Sequence, residues 1–409
     1  MLVWMILLCK IRLEYSKLLT TIVITKNGET KPRNFKFSNN EILWTSENSQ
    51  LTEKGKINIL ELGTFLYERY NNYDALFSPN QVSSEIYIQS SDWDRTIQSA
   101  YLIGLGMFPN RNNLSVESFN PTTPVPTYVT PLNLDYLIDL SQVCPSVIHN
   151  ALTRATTRQL RIKYKELLGA ISHRLNNATI EISELRRLSL NFMRMADRKE
   201  NLPLWVYDKY NNIDLLDAIN QASQESYLHY YTNALIKKHY GGNFIKKIIQ
   251  IFDNFLQDYN DLKMHLFSAN EETLIIIMSA LGIYEDIPNY GASLMIELVE
   301  IMDETNENNL HDVKIKFFYR NTNYDNNVPR ELFIPGCSQP CSYKDFKKLN
   351  KKKMNNDLEK YCNKDEGFSY MDYVIMMFIS MFILVVALII IGITIYRIHA
   401  KTYILIETN

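Results

Sequence analysis

Apolar residues recur along this chain with two different periods, and the switches between them set out its elements. Leu19 to Thr25 (LTTIVIT) is a β-branched, apolar run that reads as a buried strand. A polar loop follows, Lys26-Asn27-Gly28-Glu29-Thr30, with a glycine for the turn. From Leu51 to Tyr70 the apolar positions fall at helical spacing, and Thr52 is placed to cap the first turn. Glu85 to Gln89 predicts a second strand, Ser90 to Arg95 a second polar loop, and Thr96 to Leu105 a second helix. Strand, polar loop and helix, twice over, is the rhythm of an α/β sandwich. In such folds ligands sit in loops beyond the carboxyl ends of the strands.

The pattern changes after Pro121, Pro124 and Pro126. From Asn150 to Tyr259 the apolar spacing is almost wholly helical, as in LRRLSLNFMRMADR and NFIKKIIQIFDNFLQDY. Residues 122–261 are therefore expected to form an inserted, mostly helical subdomain. The earlier rhythm resumes with strand Met264 to Ser268, loop Ala269-Asn270-Glu271 and helix Glu272 to Leu281. Two strand-like runs follow, Ser293 to Ile301 and Val313 to Tyr319, joined by the polar loop Asp303 to Asp312. The expected fold is a three-layer α/β sandwich built from residues 18–121 and 262–336. The Lys- and Asn-rich stretch 337–373 reads as a stalk.

Val374 to Tyr396 is different in kind: 23 residues without a charge. As a helix it is long enough to cross a hydrocarbon core of roughly 30 Å. Asp365, Glu366 and Asp372 precede it, whereas Arg397, His399 and Lys401 follow. Positive residues favour the cytoplasmic side, which predicts a single-pass type I arrangement. The large N-terminal part would then be luminal or extracellular, and residues 397–409 a cytoplasmic tail. An entry signal is expected in residues 1–17, where Leu2 to Leu8 (LVWMILL) is a short apolar run with no marked cleavage site. In the tail, Tyr403-Ile-Leu-Ile406 has the tyrosine-x-x-apolar form of an endocytic sorting signal, a four-residue pattern of low specificity. It points to endosomes or lysosomes, and without it the plasma membrane is the default.

Composition changes this picture little. The chain has 409 residues, 43 basic against 45 acidic, so nothing in its charge suggests nucleic acid as a partner. Five cysteines are present: Cys9 in the leader-like segment, then Cys144, Cys337, Cys341 and Cys362. In an oxidising compartment the last four permit two bridges. A zinc site is disfavoured, because Cys337-x-x-x-Cys341 has no companion ligand pair at metal-like spacing. Asn113-Leu-Ser115 and Asn177-Ala-Thr179 are permissive for N-glycosylation.

Several segments together resemble the histidine acid phosphatase family, of the prostatic and lysosomal type. Leu51 to Gly55 with Leu62 to Tyr70 is similar to that family's first core helix. Ile86 to Thr96 resembles its second phosphate-site loop, where Arg95 matches the phosphate-binding arginine. Tyr290 to Leu298 resembles a later strand, and Tyr319-Arg320-Asn321 with Ile334 to Cys337 its C-terminal segment. The match runs with gaps from Leu19 to Cys362, followed by an anchor as in the lysosomal type. The resemblance implies pairing of Cys144 with Cys362 and of Cys337 with Cys341, no cofactor or metal, and a homodimer, since relatives often dimerise.

The same resemblance exposes what is missing. The family's first signature, Arg-His-Gly-x-Arg-x-Pro, here reads Lys26-Asn27-Gly28-Glu29-Thr30-Lys31-Pro32. Asn27 stands where the nucleophilic histidine belongs, and Lys26 and Thr30 replace two phosphate-binding arginines. The second signature, His-Asp, reads Asn270-Glu271. A covalent phosphohistidine needs an imidazole lone pair, and a carboxamide nitrogen is essentially non-basic. Glu271 retains an acid, yet a general acid without a nucleophile leads nowhere. The expected protein is therefore a pseudophosphatase. Its pocket would keep weak phosphate or phosphoester binding through Arg95, Lys26 and Thr30, with amide donors Asn27 and Asn270. Alternatively Arg95 merely pairs with Asp92 or Glu271 and the domain is a scaffold. A third reading, an active acid phosphatase, would need another nucleophile. His149, His173, His229 and His239 fall in the helical insertion, His265 lies inside a strand, and His311-Asp312 reads as a surface turn.

Overall fold

A computed structural model describes residues 15–31, 50–72, 75–78, 82–108, 125–139, 143–144, 155–175, 179–197, 199, 201–259, 261–302, 312–321, 328–354, 358, 362 and 370–407. Most of the leader-like segment, Pro32, both sequons, His149 and His311 lie outside the described residues. The chain divides into two compact units, residues 1–358 and 359–409.

The first unit is organised by a seven-stranded mixed sheet. Its strands are β1 (Tyr15–Lys26), β2 (Ile86–Ser91), β3 (Thr127–Thr130), β4 (Met264–Ala269), β5 (Ser293–Met302), β6 (Asp312–Arg320) and β7 (Arg330–Leu332). Their spatial order is β3-β2-β4-β1-β5-β6-β7. β3, β2, β4 and β1 run parallel, and the last three join antiparallel. β1 opens at Tyr15, inside the segment 1–17 read as a leader.

Side-chain alternation decides what covers the sheet. Ile22 and Ile24 point into one buried cluster and Val23 into the other, and Phe267 and Leu266 divide in the same way. A strand buried on both faces needs a layer on each. Helices α1 (Glu53–Tyr67) and α2 (Asp94–Met107) supply one through Ile59, Leu62, Leu66, Ala100 and Ile103. Helices α7 (Gly242–Leu256) and α8 (Glu271–Leu281) supply the other through Phe244, Ile248, Phe252, Leu274 and Ile277. The three-layer sandwich expected from periodicity is present.

Between β3 and α7 lie helices α3 (Ala155–Lys163), α4 (Lys165–Arg174), α5 (Leu185–Asp197) and α6 (Leu215–Tyr231). They enclose a core of their own, which includes Leu167, Ile171, Leu188, Phe192 and Ile219. This helical core covers less of the chain than the 122–261 expected for an inserted subdomain. β3 belongs to the main sheet through its pairing with β2, and α7 packs on the sheet rather than in the insertion.

The stalk expected at 337–373 needs a larger correction. Cys337 and Cys341 are disulfide-bonded, and helix α9 (Tyr343–Asn350) follows at once. Tyr343 and Phe346, three apart and so on one face, are 4% and 0% exposed within the core cluster. The Tyr343 hydroxyl donates to Ile249 O at 3.1 Å, and Lys347 pairs with Asp253 at 2.9 Å. Lysines on its outer face hid a helix whose inner face is aromatic. Cys144 and Cys362 are each disulfide-bonded.

The second unit contains helix α10 (Tyr370–Glu407), in which Val374–Arg397 is long and apolar enough to cross a membrane.

Candidate functional site

Because β1, β2 and β4 are parallel and in register, their carboxyl ends meet on one edge of the sheet, with Lys26 opposite Ala269 and Ser90 opposite Ser268. The loops leaving these ends bring together Lys26-Asn27-Gly28, Trp93-Asp94-Arg95 and Asn270-Glu271. They open into a cavity of about 1330 Å³ whose far wall is formed by α5 and α6.

Backbone contacts hold the first loop against its surroundings. Lys26 N donates to Ala292 O at 2.9 Å, and Asn27 N to Ala269 O at 3.1 Å. Gly28 N donates to Ser99 Oγ on α2 at 3.1 Å. Gly28 is required by closeness, since a Cβ there would lie 2.8 Å from Gly55 O. Gly55 is the residue whose N–H donates to the Thr52 cap at 2.9 Å, so the start of α1 and the site loop are pressed together.

Glu271 is the electrostatic centre. It is 9% exposed, and its carboxylate is clamped by Lys26 on one oxygen and by Arg186 of α5 on the other. Burial works to raise its pKa, but the two cations outweigh burial and hold the carboxyl below its ordinary value of 4.5. The residue sequence reading cast as a surviving general acid is therefore kept ionised. Lys26 also donates to Pro288 O at 2.9 Å and lies 4.5 Å from the centre of the Tyr290 ring. Arg186 rests 4.5 Å from the centre of the Tyr227 ring. Glu272, the next residue, behaves oppositely. Burial, with the Glu271 charge beside it, pushes its carboxyl above the ordinary range.

Arg95 is held by Asn270. Its Nε and Nη2 both donate to Asn270 Oδ1, at 3.1 and 2.8 Å, while its plane lies 4.8 Å from the Trp93 ring centre. Asn270 Nδ2 donates to Asp139 Oδ2 at 3.2 Å, and Trp93 Nε1 donates to the same oxygen at 2.6 Å. Asn27 is 4% exposed and its amide donates to Gly28 O at 2.8 Å. One N–H of each amide is thus committed to the protein. Thr30 lines the cavity but is 5% exposed and bridges Leu51.

The structure therefore gathers Lys26, Asn27, Thr30, Arg95, Asn270 and Glu271 around one cavity. It adds Arg186, Glu272 and Tyr290 to the wall and Asp139 behind Asn270, none of which sequence reading gave a role in the site. Arg186 sits beside Arg187 in an amphipathic helix, where paired arginines look like a solvated face. Of the histidines, His229 lines the outer cavity from α6, and its Nε2 has no hydrogen-bond partner. His265 is 7% exposed within β4, and burial, with Lys247 nearby, lowers its pKa to about 4. His173 is exposed and His239 buried outside the cavity wall.

Comparison with known proteins places the chain in a family. A family model for the histidine phosphatase superfamily (branch 2) matches residues 8–318. The testicular acid phosphatase of Mus musculus is 30% identical over 321 residues, covering 75% of this chain and 72% of its own. Putative acid phosphatase 5 of Caenorhabditis elegans is 26% identical over 349 residues, 84% of this chain and 76% of its own. The lysosomal acid phosphatase of Rattus norvegicus is 24% identical over 330 residues, 78% and 73% respectively. Among solved structures, the apo form of Hafnia alvei phytase superposes with a TM-score of 0.58. It covers 84% of this chain and 98% of its own at 14% identity, a likeness of fold alone.

Proposed function

The chain belongs to branch 2 of the histidine phosphatase superfamily, and we propose that it is a phosphatase-like protein that has lost hydrolysis and kept an anion-binding cleft. One observation carries the reading: the side chain at the end of β1, facing the cavity from the centre of the sheet edge, is the Asn27 carboxamide. A carboxamide nitrogen has no lone pair available to attack phosphorus, and losing the nucleophile alone removes several orders of magnitude of rate. The clamped state of Glu271 supports the same conclusion. A carboxyl held below its ordinary range carries little proton to give a leaving group.

Anion binding rests on charge. Lys26, Arg95 and Arg186 converge on the cavity beside Glu271, while burial and the Glu271 charge push the Glu272 carboxyl above its ordinary range. Arginine and lysine donors in a half-enclosed cleft suit a phosphate or phosphoester dianion. Because Lys26 and Arg186 are already engaged by Glu271, and Arg95 by Asn270, binding is weak.

The full-length chain in detergent micelles tests both halves. With p-nitrophenyl phosphate near pH 5, release of nitrophenol is expected at the buffer rate. Titration with inorganic phosphate at low salt is expected to give heat, with a dissociation constant of about 1 mM. Turnover that disappears in Arg95→Ala would overturn the loss of hydrolysis, and absence of heat would leave a scaffold. A second reading, an active enzyme, rests on His229, a residue of the cavity wall whose Nε2 is buried without a hydrogen-bond partner among the described residues. Turnover abolished by His229→Ala would establish it.

Anchoring through Val374–Arg397, with the N-terminal unit luminal or extracellular, is part of the same proposal. The charge asymmetry across that segment supports the orientation. Relatives named lysosomal acid phosphatase and the Tyr403-Ile-Leu-Ile406 signal support endosomes or lysosomes as the destination. Glycans at Asn113 and Asn177, a Cys144–Cys362 bridge and a homodimer remain parts of the proposal carried by sequence.

A further inference from the structure

A smaller cavity of about 200 Å³ adjoins the cleft just described. The two share Arg95, Tyr231, Asn270 and Glu272 in their walls. Beyond this rim Leu137, Ile138, Ile236, Phe244, Ile276 and Ile277 supply the hydrocarbon part of the lining. The polar side chains among them are bonded within the protein: Asp139 accepts from Trp93 and Asn270, Tyr240 donates to Cys144 O and Thr273 to Ile138 O. The walls are firmly held. Thr273 Oγ1 donates to Ile138 O at 2.8 Å, and the Asp135 carboxylate accepts from the backbone N–H groups of Leu137, Ile138 and Asp139. Ile138, Ile236, Phe244 and Ile277 are each no more than 3% exposed.

Size and chemistry together restrict what such a chamber accepts. An apolar cavity of roughly 150 Å³ lined by similar residues takes up benzene. A hydroxyl-rich group would have to leave its water behind without gaining partners among isoleucines. The rim, by contrast, is built for a charged atom. It carries the Arg95 guanidinium, the Asn270 amide and the Glu272 carboxyl, which burial and Glu271 bias toward the neutral form.

We propose that this side chamber is a selectivity subsite, and that the cleft binds phosphomonoesters whose ester group is a compact aryl or short branched alkyl group. The phosphate lies toward Lys26, Arg95 and Arg186, and the apolar group enters the chamber past Arg95 and Asn270. Ile236 and Ile276 are then specificity-determining residues. This inference rests on the anion-binding reading above, and the test separates the two.

The full-length chain in detergent micelles is titrated with inorganic phosphate, glycerol 2-phosphate, phenyl phosphate and phenol. Phenyl phosphate is expected to bind roughly tenfold tighter than glycerol 2-phosphate, the advantage of burying a few apolar carbons. Ile276→Phe and Ile236→Phe fill the chamber, and each is expected to abolish that preference while leaving inorganic phosphate binding unchanged. Thermal melts of both variants monitor folding. A biphenyl phosphate, too long for the chamber, supplies a control without mutation and is expected to bind more weakly than phenyl phosphate. Equal affinities for phenyl and glycerol phosphates, alongside measurable phosphate binding, overturn the chamber and spare the anion site. Phenol binding without phosphate binding overturns the anion site, and the ester proposal falls with it. A phenyl preference that persists in both well-folded variants, or extends to the biphenyl ester, also overturns the proposal.

Discussion

A carboxylate clamped between two cations is stabilised by them and in turn occupies them. Glu271 stands in that relation to Lys26 and Arg186. Glu271→Gln leaves two buried cations facing one another, and a loss of about 3 kcal/mol is expected in urea unfolding at pH 7. The same change frees both cations for an outside anion, so phosphate affinity should rise and phosphate should raise the variant's melting temperature more than the parent's. The sign with pH follows from the folded carboxyl lying below 4.5. Its contribution is present above that value and lost as pH falls through the folded pKa, so the variant's deficit should shrink in acid.

His265 gives a second residue-scale expectation. Its pKa falls from 6.5 to about 4 on folding, so the fold holds it neutral. Stability from this group is complete above pH 6.5 and lost as pH falls toward 4, amounting to about 2 kcal/mol by pH 5. His265→Gln does not titrate, and its unfolding free energy should fall by that much less between pH 7 and 5. At this scale the sequence was informative where a residue's type was wrong for its place. Lys26 and Asn27 stood out because Gly28 and Pro32 keep the frame of the first signature around them, and Asn270 because it stands where the second signature has histidine. Arg186, Asp139 and Glu272 had no frame, and only their convergence in space gives them a role.

Elements were legible when both their period and their ends were written locally. Helix α1 starts after Thr52 and carries its apolar face at Ile59, Leu62 and Leu66, as the spacing predicts. Strands β1, β4 and β5 lie where β-branched and apolar runs placed them. Helix α9 was missed because four lysines, from Lys344 to Lys351, dominate a stretch whose buried face is two aromatic rings. β3 was missed because four residues are too few for a period, and their pairing with β2 alone makes them a strand. How helices approach is likewise a matter of contact. Gly63 of α1 and Gly106 of α2 meet so closely that a Cβ on Gly106 would lie 2.1 Å from Leu60 O. Gly106→Ala gains helix propensity but must separate the helices, and a net loss of about 1–3 kcal/mol is expected by denaturant titration.

At the scale of the whole molecule, the long apolar helix of the second unit carries a prediction of its own. If Val374–Arg397 spans a bilayer, the full chain should stay in the membrane pellet through alkaline carbonate extraction. Val385→Arg with Ile389→Arg places two charges mid-span, each opposed by about 2.5–3.5 kcal/mol, and should release the chain.

The sequence by itself determined the α/β rhythm, the apolar C-terminal helix and the amide side chains Asn27 and Asn270 at two positions where the family resemblance expects imidazole. Each of these is written in neighbouring residues, as a period, a run or a side-chain type. Only the tertiary structure decided which cations face Glu271, which carboxyl burial pushes upward and that a second, smaller chamber adjoins the cleft. Those properties belong to distances between residues far apart in the chain, Lys26 from Glu271 and Arg186, Ile138 from Ile277. Local pattern carries no information about such distances, because burial and charge pairing are set by what the fold brings alongside.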